Sequence, residues 1–126
     1  MNIIGTSRPI HDAEGKARGQ ANYAGDMRLK GMVYAALITS TVANGYVRSM
    51  DLSEAEKVEG YLGSLTCLED HGKPYCRYRS LKGQNTADQE YVFNRRVRLV
   101  GDQIGCVLAD SLESARKAAR RVKVDY

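Results

Sequence analysis

The pattern of apolar and polar positions assigns three strands and one long loop to the first three quarters of the chain. Residues 32–38 are apolar at every position, which predicts a central strand buried on both faces. A short strand is expected at residues 47–50 and a further strand at residues 61–67. Residues 70–94 carry few aliphatic side chains and show no clear period, so we expect a long excursion there that contains one strand.

Two helices are predicted among these strands. Ser53 and Glu56 have the spacing of a capping box, which indicates a brief helix that Gly60 is placed to end. A longer helix is expected near the C-terminus, with Asp110 as its N-cap, because apolar residues recur there at intervals of three and four. Its apolar stripe consists of Leu112, Ala115, Ala119 and Val122.

The end of the chain completes a mixed pattern of elements. Residues 95–110 predict two strands that form a hairpin around Gly101 and Asp102, and residues 122–126 begin a last strand. Strands and helices in this order favour an α+β fold over a doubly wound parallel sheet. We therefore expect a mixed sheet with a β-hairpin, a short helix and a longer C-terminal helix.

Length and charge restrict the possible functions. A chain of 126 residues corresponds to a single domain, and its net charge of +4 is concentrated in two groups of basic residues. A basic patch suits nucleic acid or an acidic partner, so a stand-alone binding module is one hypothesis. The solvated face of the C-terminal helix is the favoured interpretation of the second group, because no aromatic residues are interleaved with it. The groups are Arg95, Arg96 and Arg98, and then Arg116, Lys117, Arg120, Arg121 and Lys123.

The sequence contains no apolar run long enough to cross a bilayer and no secretory signal pattern, which predicts a cytoplasmic protein. Three cysteines without a Cys-x-x-Cys pair favour reduced thiols over a disulfide framework or a zinc site. The two histidines, His11 and His71, are expected to be solvated loop residues. A thiol enzyme is a further hypothesis, because Cys76 precedes Arg77, whose charge could lower the thiol pKa.

Residues 11–26 are rich in glycine and charge, and they suggest a phosphate-binding loop at first sight. A Walker loop requires a glycine where Ile10 stands and a hydroxyl side chain where Ala17 stands. The dinucleotide fingerprint also fails, since Gly15, Gly19 and Gly25 have the wrong spacing and follow no strand. We interpret these glycines as turns within an extended N-terminal arm, residues 1–30.

Several ordered motifs resemble one enzyme family. Residues 8–26 read RPIHDAEGKARGQANYAGD and residues 29–40 read LKGMVYAALITS. Residues 97–110 read VRLVGDQIGCVLAD, and residues 122–126 read VKVDY. Together they resemble the beginning of the molybdenum-binding subunit of xanthine dehydrogenases and aldehyde oxidases, over essentially the whole chain and least at residues 70–94.

This resemblance implies a single α/β hammerhead domain over residues 1–126, within a longer subunit. Parent enzymes of the family hydroxylate a purine, another N-heterocycle or an aldehyde with a molybdopterin cofactor. Electrons leave through iron–sulfur clusters and often flavin on partner subunits or domains. The family's cofactor loops and catalytic glutamate belong to later domains, so this chain is expected to be noncatalytic and to bind neither cofactor nor metal.

The expected partners are the remaining domains of the molybdenum-binding subunit and the iron–sulfur and flavin subunits or domains, without membrane or nucleic acid. Residues 40–46 and Asp102 depart from the family pattern, which leaves the substrate open. Five residues of the arm are candidate inter-domain contacts. The alternative is that they only form local turns and caps, as short polar side chains commonly do. They are Arg8, Asp12, Lys16, Tyr23 and Asp26.

Overall fold

The computed structural model describes residues 4–69, 73–76 and 90–126. The chain divides into two compact units, Met1–Met32 and Val33–Tyr126. The first unit contains the short helix α1, Ala13–Ala17, and a single 3-10 turn at Ala24–Asp26, so the predicted arm is not extended throughout. Gly19 follows α1 with φ of 68°, a conformation that favours glycine, which confirms a glycine turn at this point.

The second unit contains seven strands and two helices among the described residues, which confirms an α+β fold with a short helix and a longer C-terminal helix. Among these residues, no helix combines the length and the apolar character that crossing a bilayer requires. In chain order the elements are β1 (Tyr34–Thr39), β2 (Gly45–Tyr46), β3 (Ser49–Asp51), α2 (Ser53–Glu56), β4 (Tyr61–Thr66), β5 (Arg96–Val97), β6 (Gln103–Ala109), α3 (Leu112–Ala119) and β7 (Lys123–Asp125).

The strands form three antiparallel sheets rather than one mixed sheet. The largest has the order β1-β6-β4, and the two smaller ones pair β2 with β5 and β3 with β7. The short strand predicted at residues 47–50 is present with shifted bounds as β3, and Val47 lies between β2 and β3, which belong to different sheets. The strand predicted at residues 61–67 is confirmed as β4.

Strand β1 lies at an edge of its sheet, and the prediction of a central strand buried on both faces is wrong. Ile38 is only 5% exposed and belongs to the main core, whereas Leu37 is 51% exposed. Successive side chains of a strand point to opposite faces. An apolar run thus identifies a strand here, while the elements packed on the sheet, such as helix α3, decide which of its faces is covered.

The predicted hairpin at Gly101 and Asp102 is wrong, because β5 pairs with β2 and β6 pairs with β1 and β4. The carboxylate of Asp102 accepts hydrogen bonds from the backbone N–H groups of Arg98, at 2.6 Å, and Leu99, at 3.3 Å. These side-chain hydrogen bonds hold a turn at residues 98–101. In a hairpin, the strands on either side of this turn would pair with each other.

Both predicted helices are present, but their caps differ from the prediction. In α2, Ser53 is the first helical residue, and its N–H donates to the side chain of Asp51 at 3.0 Å. In α3, the N-cap is Ser111, whose hydroxyl accepts from the N–H of Ser114 at 3.1 Å. Asp110 thus lies one residue too early to cap α3.

The core lies between the sheets and helix α3. Val47, Val97, Ile104 and Val107 are its largest fully buried side chains. Helix α3 packs against β1 and β6 through small side chains, since Ala115 and Ala118 are completely buried. At the C-terminus, the hydroxyl of Tyr126 accepts from the N–H of Thr41 at 3.3 Å.

Part of the excursion predicted at residues 70–94 is described. Tyr75 and Glu90 form an isolated antiparallel bridge, in which the Tyr75 N–H donates to the Glu90 carbonyl at 2.7 Å. Most of the excursion, including residues 77–89 and His71, lies outside the described residues, so the strand predicted there stays a prediction.

The turn between α2 and β4 provides a test of this packing. Gly60 has φ of 83°, and a Cβ there would collide with the carboxylate of Asp110. We expect Gly60→Ala to lower the free energy of unfolding by about 2 kcal/mol, from backbone strain and this clash. Gly63→Ala is the control, since nothing lies within 4 Å of a Cβ there. Equal urea midpoints for Gly60→Ala and Gly63→Ala would contradict the close packing of Gly60 against Asp110.

Candidate docking site

Two of the candidate contacts in the N-terminal arm pair with each other. The Lys16 ammonium lies 2.5 Å from the Asp12 carboxylate, one helical turn away across α1. Glu14 and Arg18 form a second pair of the same spacing at 2.9 Å. Pairs of this kind stabilise short helices by a few tenths of a kcal/mol. Asp12 and Lys16 therefore have a local role in holding α1.

Tyr23 and Asp26 also bond to each other. The Tyr23 N–H donates to the Asp26 carboxylate at 3.0 Å, and the Asp26 N–H donates to the Tyr23 carbonyl at 2.9 Å. Tyr23 is 58% exposed, so the residue is accessible although its backbone is hydrogen-bonded. Arg8 differs from the other four candidates, since its exposed side chain makes no ion pair or hydrogen bond with the described residues.

A groove in the second unit runs along strand β1 and helix α3. It encloses about 740 Å³ and also includes side chains from the C-terminal strand. Its walls combine apolar side chains with two guanidinium groups, and no Asp or Glu side chain belongs to its lining. The residues that line it include Ala36, Ile38, Leu112, Arg116, Arg120 and Tyr126.

Sequence reasoning missed this groove because it placed β1 in the centre of a sheet. The available signal was the pair Arg116 and Arg120, four residues apart and next to the apolar stripe of the helix. Side chains four residues apart lie on the same helix face. Both guanidinium groups are therefore expected beside the element against which the apolar stripe packs. The apolar run predicts β1 as a strand, and only its place at the edge of the sheet is missing from the sequence pattern.

The basic residues fall into two structural classes. Those of the first group interact within the fold: the Arg95 side chain donates to the Val47 carbonyl at 3.2 Å, and Arg96 stacks 5.9 Å from the Tyr46 ring centroid. The second group is exposed on and just after α3, which confirms the predicted solvated face. Neither Arg116 nor Arg120 forms an ion pair with another described residue.

The cysteines do not form a reactive pair. Cys67 and Cys106 are buried, and burial raises the pKa of both thiols above the ordinary value. Cys76 is half-buried and free, and its neighbour Arg77 lies outside the described residues. His11 is exposed, as predicted.

A resident metal or cofactor has no evident ligand set in the described parts of the chain. No group of three His, Cys, Asp or Glu side chains comes together there. Asp12 and Glu14 are paired with Lys16 and Arg18, and the Asp26 carboxylate accepts from the Tyr23 N–H. Burial raises the pKa of the two buried thiols, which disfavours the thiolate form that ligates metals. The described residues therefore present no cluster of His, Cys, Asp or Glu side chains that could ligate a metal ion.

Comparison with known proteins identifies the relatives of the chain. Residues 18–126 match the family model described as aldehyde oxidase and xanthine dehydrogenase, a/b hammerhead domain. The chain is 36% identical to the xanthine dehydrogenase/oxidase of Mus musculus over 127 aligned positions, which cover 99% of this chain and 9% of that protein. It is 30% identical to the xanthine dehydrogenase molybdenum-binding subunit of Escherichia coli O157:H7, over 91% of this chain and 16% of that subunit.

A solved structure has the same fold. The aldehyde oxidoreductase from Desulfovibrio desulfuricans superposes with a TM-score of 0.83 at 27% identity, over 98% of this chain and 14% of that chain. The chain therefore spans between about a tenth and a sixth of the length of these relatives.

Alkylation tests the assignment of the thiols. We expect iodoacetamide at pH 7.5 to modify Cys76 at least tenfold faster than Cys67 or Cys106, because burial excludes the reagent and keeps those thiols protonated. Peptide mass spectrometry after timed quenching measures each rate, and the urea-unfolded chain, in which all three rates should converge, is the control. Equal rates in the folded chain would contradict the burial of Cys67 and Cys106.

Proposed function

The chain belongs to the family of aldehyde oxidase and xanthine dehydrogenase α/β hammerhead domains, and we propose that it is the noncatalytic N-terminal domain of a molybdenum hydroxylase subunit. The family match at residues 18–126 carries this proposal, because it includes the end of the arm and every strand from β1 to β7. The small share of each relative that the chain covers supports a role as one domain among several.

Molybdopterin is proposed for the remainder of the subunit. A relative is named as a molybdenum-binding subunit, and the described residues of this chain lack a suitable ligand set. Cofactors of this kind carry the difficult redox chemistry, while the protein positions the substrate and excludes water. We propose that iron–sulfur clusters and flavin are held by partner domains or subunits, in the cytoplasm.

The reaction proposed for the whole enzyme is oxidative hydroxylation of a purine, another N-heterocycle or an aldehyde. The relatives named as xanthine dehydrogenases and as an aldehyde oxidoreductase support this range of substrates. No described residue of this chain is assigned to substrate binding. Its contribution is to present a folded surface on which other domains assemble.

The N-terminal arm is proposed to dock on those domains. The ion pair between Asp12 and Lys16 and the backbone bonds between Tyr23 and Asp26 give the arm a defined local shape. The exposed Tyr23 ring and the exposed Arg8 side chain then supply contact area and charge. A fixed backbone with exposed side chains loses less conformational entropy on docking than a disordered arm does.

The nucleic-acid module is the weaker hypothesis. The Arg95 and Arg96 side chains interact within the fold, and the basic residues of α3 occupy a solvated face without aromatic neighbours among them. The family match further favours a domain of a molybdenum hydroxylase. A steep loss of oligonucleotide binding with salt would be the signature of the alternative.

The proposed function is tested on the protein from its natural source. An antibody raised against this chain should capture a polypeptide much larger than the 14.0 kDa of these residues. Plasma mass spectrometry should then find about one molybdenum atom per captured polypeptide. A captured species of the size of this chain, or a large one free of molybdenum, would refute the proposal.

Docking of the arm is tested by a charge reversal. Arg8→Glu should lower the thermal unfolding midpoint of the long polypeptide by a few degrees and leave that of the 126-residue chain unchanged, because Arg8 makes no ion pair or hydrogen bond with the described residues. Lys30→Glu, at another exposed arm position, is the matched control. Equal midpoints for the two variants in the long polypeptide would remove Arg8 from the proposed interface.

A further inference from the structure

The open edge of strand β1 exposes backbone groups that can be identified from the register. The Cys67 N–H donates to the Ile104 carbonyl at 2.9 Å, so this side of β6 bonds to β4. Backbone groups of a strand alternate between its two neighbours. From Gly105 onward, Gly105, Val107 and Ala109 therefore bond to β1.

The partners of those three residues on β1 are Ile38, Ala36 and Tyr34. Ala35 and Leu37 consequently direct their N–H and C=O groups away from β6. Both residues are exposed, and β1 pairs with no other strand among the described residues. With respect to the described residues, the edge of β1 is thus an unpaired template for a further antiparallel or parallel strand.

The two faces of this edge differ in chemistry. Ala36 packs with Ala109 and Ala115, which places helix α3 on the face of Ala36 and Ile38. On that face the groove carries Arg116 and Arg120, and no Asp or Glu side chain belongs to its lining. On the other face Leu37 stands in register with Cys106, and Leu37 is 51% exposed. A strand added here meets positive charge on one face and an aliphatic side chain on the other.

We propose that the β1 edge and its groove bind an extended segment, with acidic residues alternating with apolar ones, from another domain of the same subunit. This inference rests on the proposed function, which supplies the neighbouring domains. Strand addition provides affinity through main-chain hydrogen bonds and specificity through alternate side chains. The alternation places carboxylates against Arg116 and Arg120 and apolar groups against Leu37.

Charge selects this occupant over a second copy of the chain. A dimer through two β1 edges would bring the Arg116 and Arg120 pairs of both copies to the same seam. Like charges placed together disfavour such pairing. An occupant that brings acidic side chains instead complements Arg116 and Arg120, since no Asp or Glu side chain belongs to the groove lining.

Hydrogen exchange on the 126-residue chain tests the proposal, with the acetylated and amidated peptide Val-Glu-Val-Glu-Val-Glu as the probe. This peptide should slow exchange of the Ala35 and Leu37 amides at least tenfold, because both become bonded to the added strand. The Ser64 amide, on the opposite edge of the sheet, should not respond. The matched peptide Val-Lys-Val-Lys-Val-Lys should protect neither edge.

Two double variants of equal charge change isolate the groove. Arg116→Glu with Arg120→Glu should weaken binding of the acidic peptide at least tenfold, since both side chains line the groove. Lys117→Glu with Arg121→Glu is the control, because these residues belong to the same helical region but are not part of the groove lining. Slow exchange of the Val107 amide, which bonds to β1, verifies that each variant is folded.

Proline substitutions test the edge itself. Leu37→Pro removes an outward N–H donor and should abolish protection of Ala35, whereas Ser64→Pro removes a donor from the opposite edge and should leave it unchanged.

The proposal is overturned if the acidic peptide protects neither Ala35 nor Leu37, if both peptides protect them equally, or if both double variants lose binding equally. If the Ala35 and Leu37 amides are protected without peptide, and this protection rises with the fraction of dimer in the sample, the edge binds a second copy of the chain and the proposal is overturned. Molybdenum content is measured separately, so docking can fail while the proposed function holds.

Discussion

The burial of strand β6 on both faces is the constraint on which the second unit depends. Ile104, Val107 and Ala109 are completely buried, and the strand bonds to β1 on one side and β4 on the other. Gly105 allows this close approach, since a Cβ there would lie 2.8 Å from the Leu65 carbonyl. Helix α3 reaches the sheet through alanines, so its axis lies close to the strands and its longer side chains remain at the rim.

This packing explains why the basic residues of α3 flank a groove. The alanines that pack against the sheet occupy one stripe of the helix, and Arg116 and Arg120 follow directly beside it. A helix with larger side chains at Ala115 and Ala118 would stand further from β1 and widen the groove. The same small residues that close the core therefore set the distance between the guanidinium groups and the edge of the sheet.

The sequence was sufficient for the elements and insufficient for their pairing. Apolar runs identified β1, β4 and β6, because burial requires such runs whatever the strand order. The hairpin prediction is wrong because the Asp102 side chain accepts hydrogen bonds from the backbone of Arg98 and Leu99. This local interaction leaves no periodic signal in the sequence. The predicted N-cap of α3 is wrong by one residue. Asp110 and Ser111 are both favourable N-cap residues, and only the backbone path distinguishes them.

The candidate site was predictable to a similar degree. The family resemblance selected the arm residues, and the structure gives Asp12, Lys16, Tyr23 and Asp26 local partners that the motif alone does not reveal. The groove beside β1 depends on which strand lies at the edge of the sheet. That property arises from strand pairings between residues more than thirty-five positions apart and cannot be obtained from local periodicity.

The pairing of β3 with β7 has a consequence for synthesis on the ribosome. Ser49–Asp51 finds its partner only in Lys123–Asp125, and Thr41 bonds to Tyr126, so early strands are completed by the last residues of the domain. Contacts of such long sequence separation form slowly, because a large loop must close before they contribute. The nascent chain therefore cannot finish this fold until β7 has left the exit tunnel, and any domain that follows is translated while the first one closes.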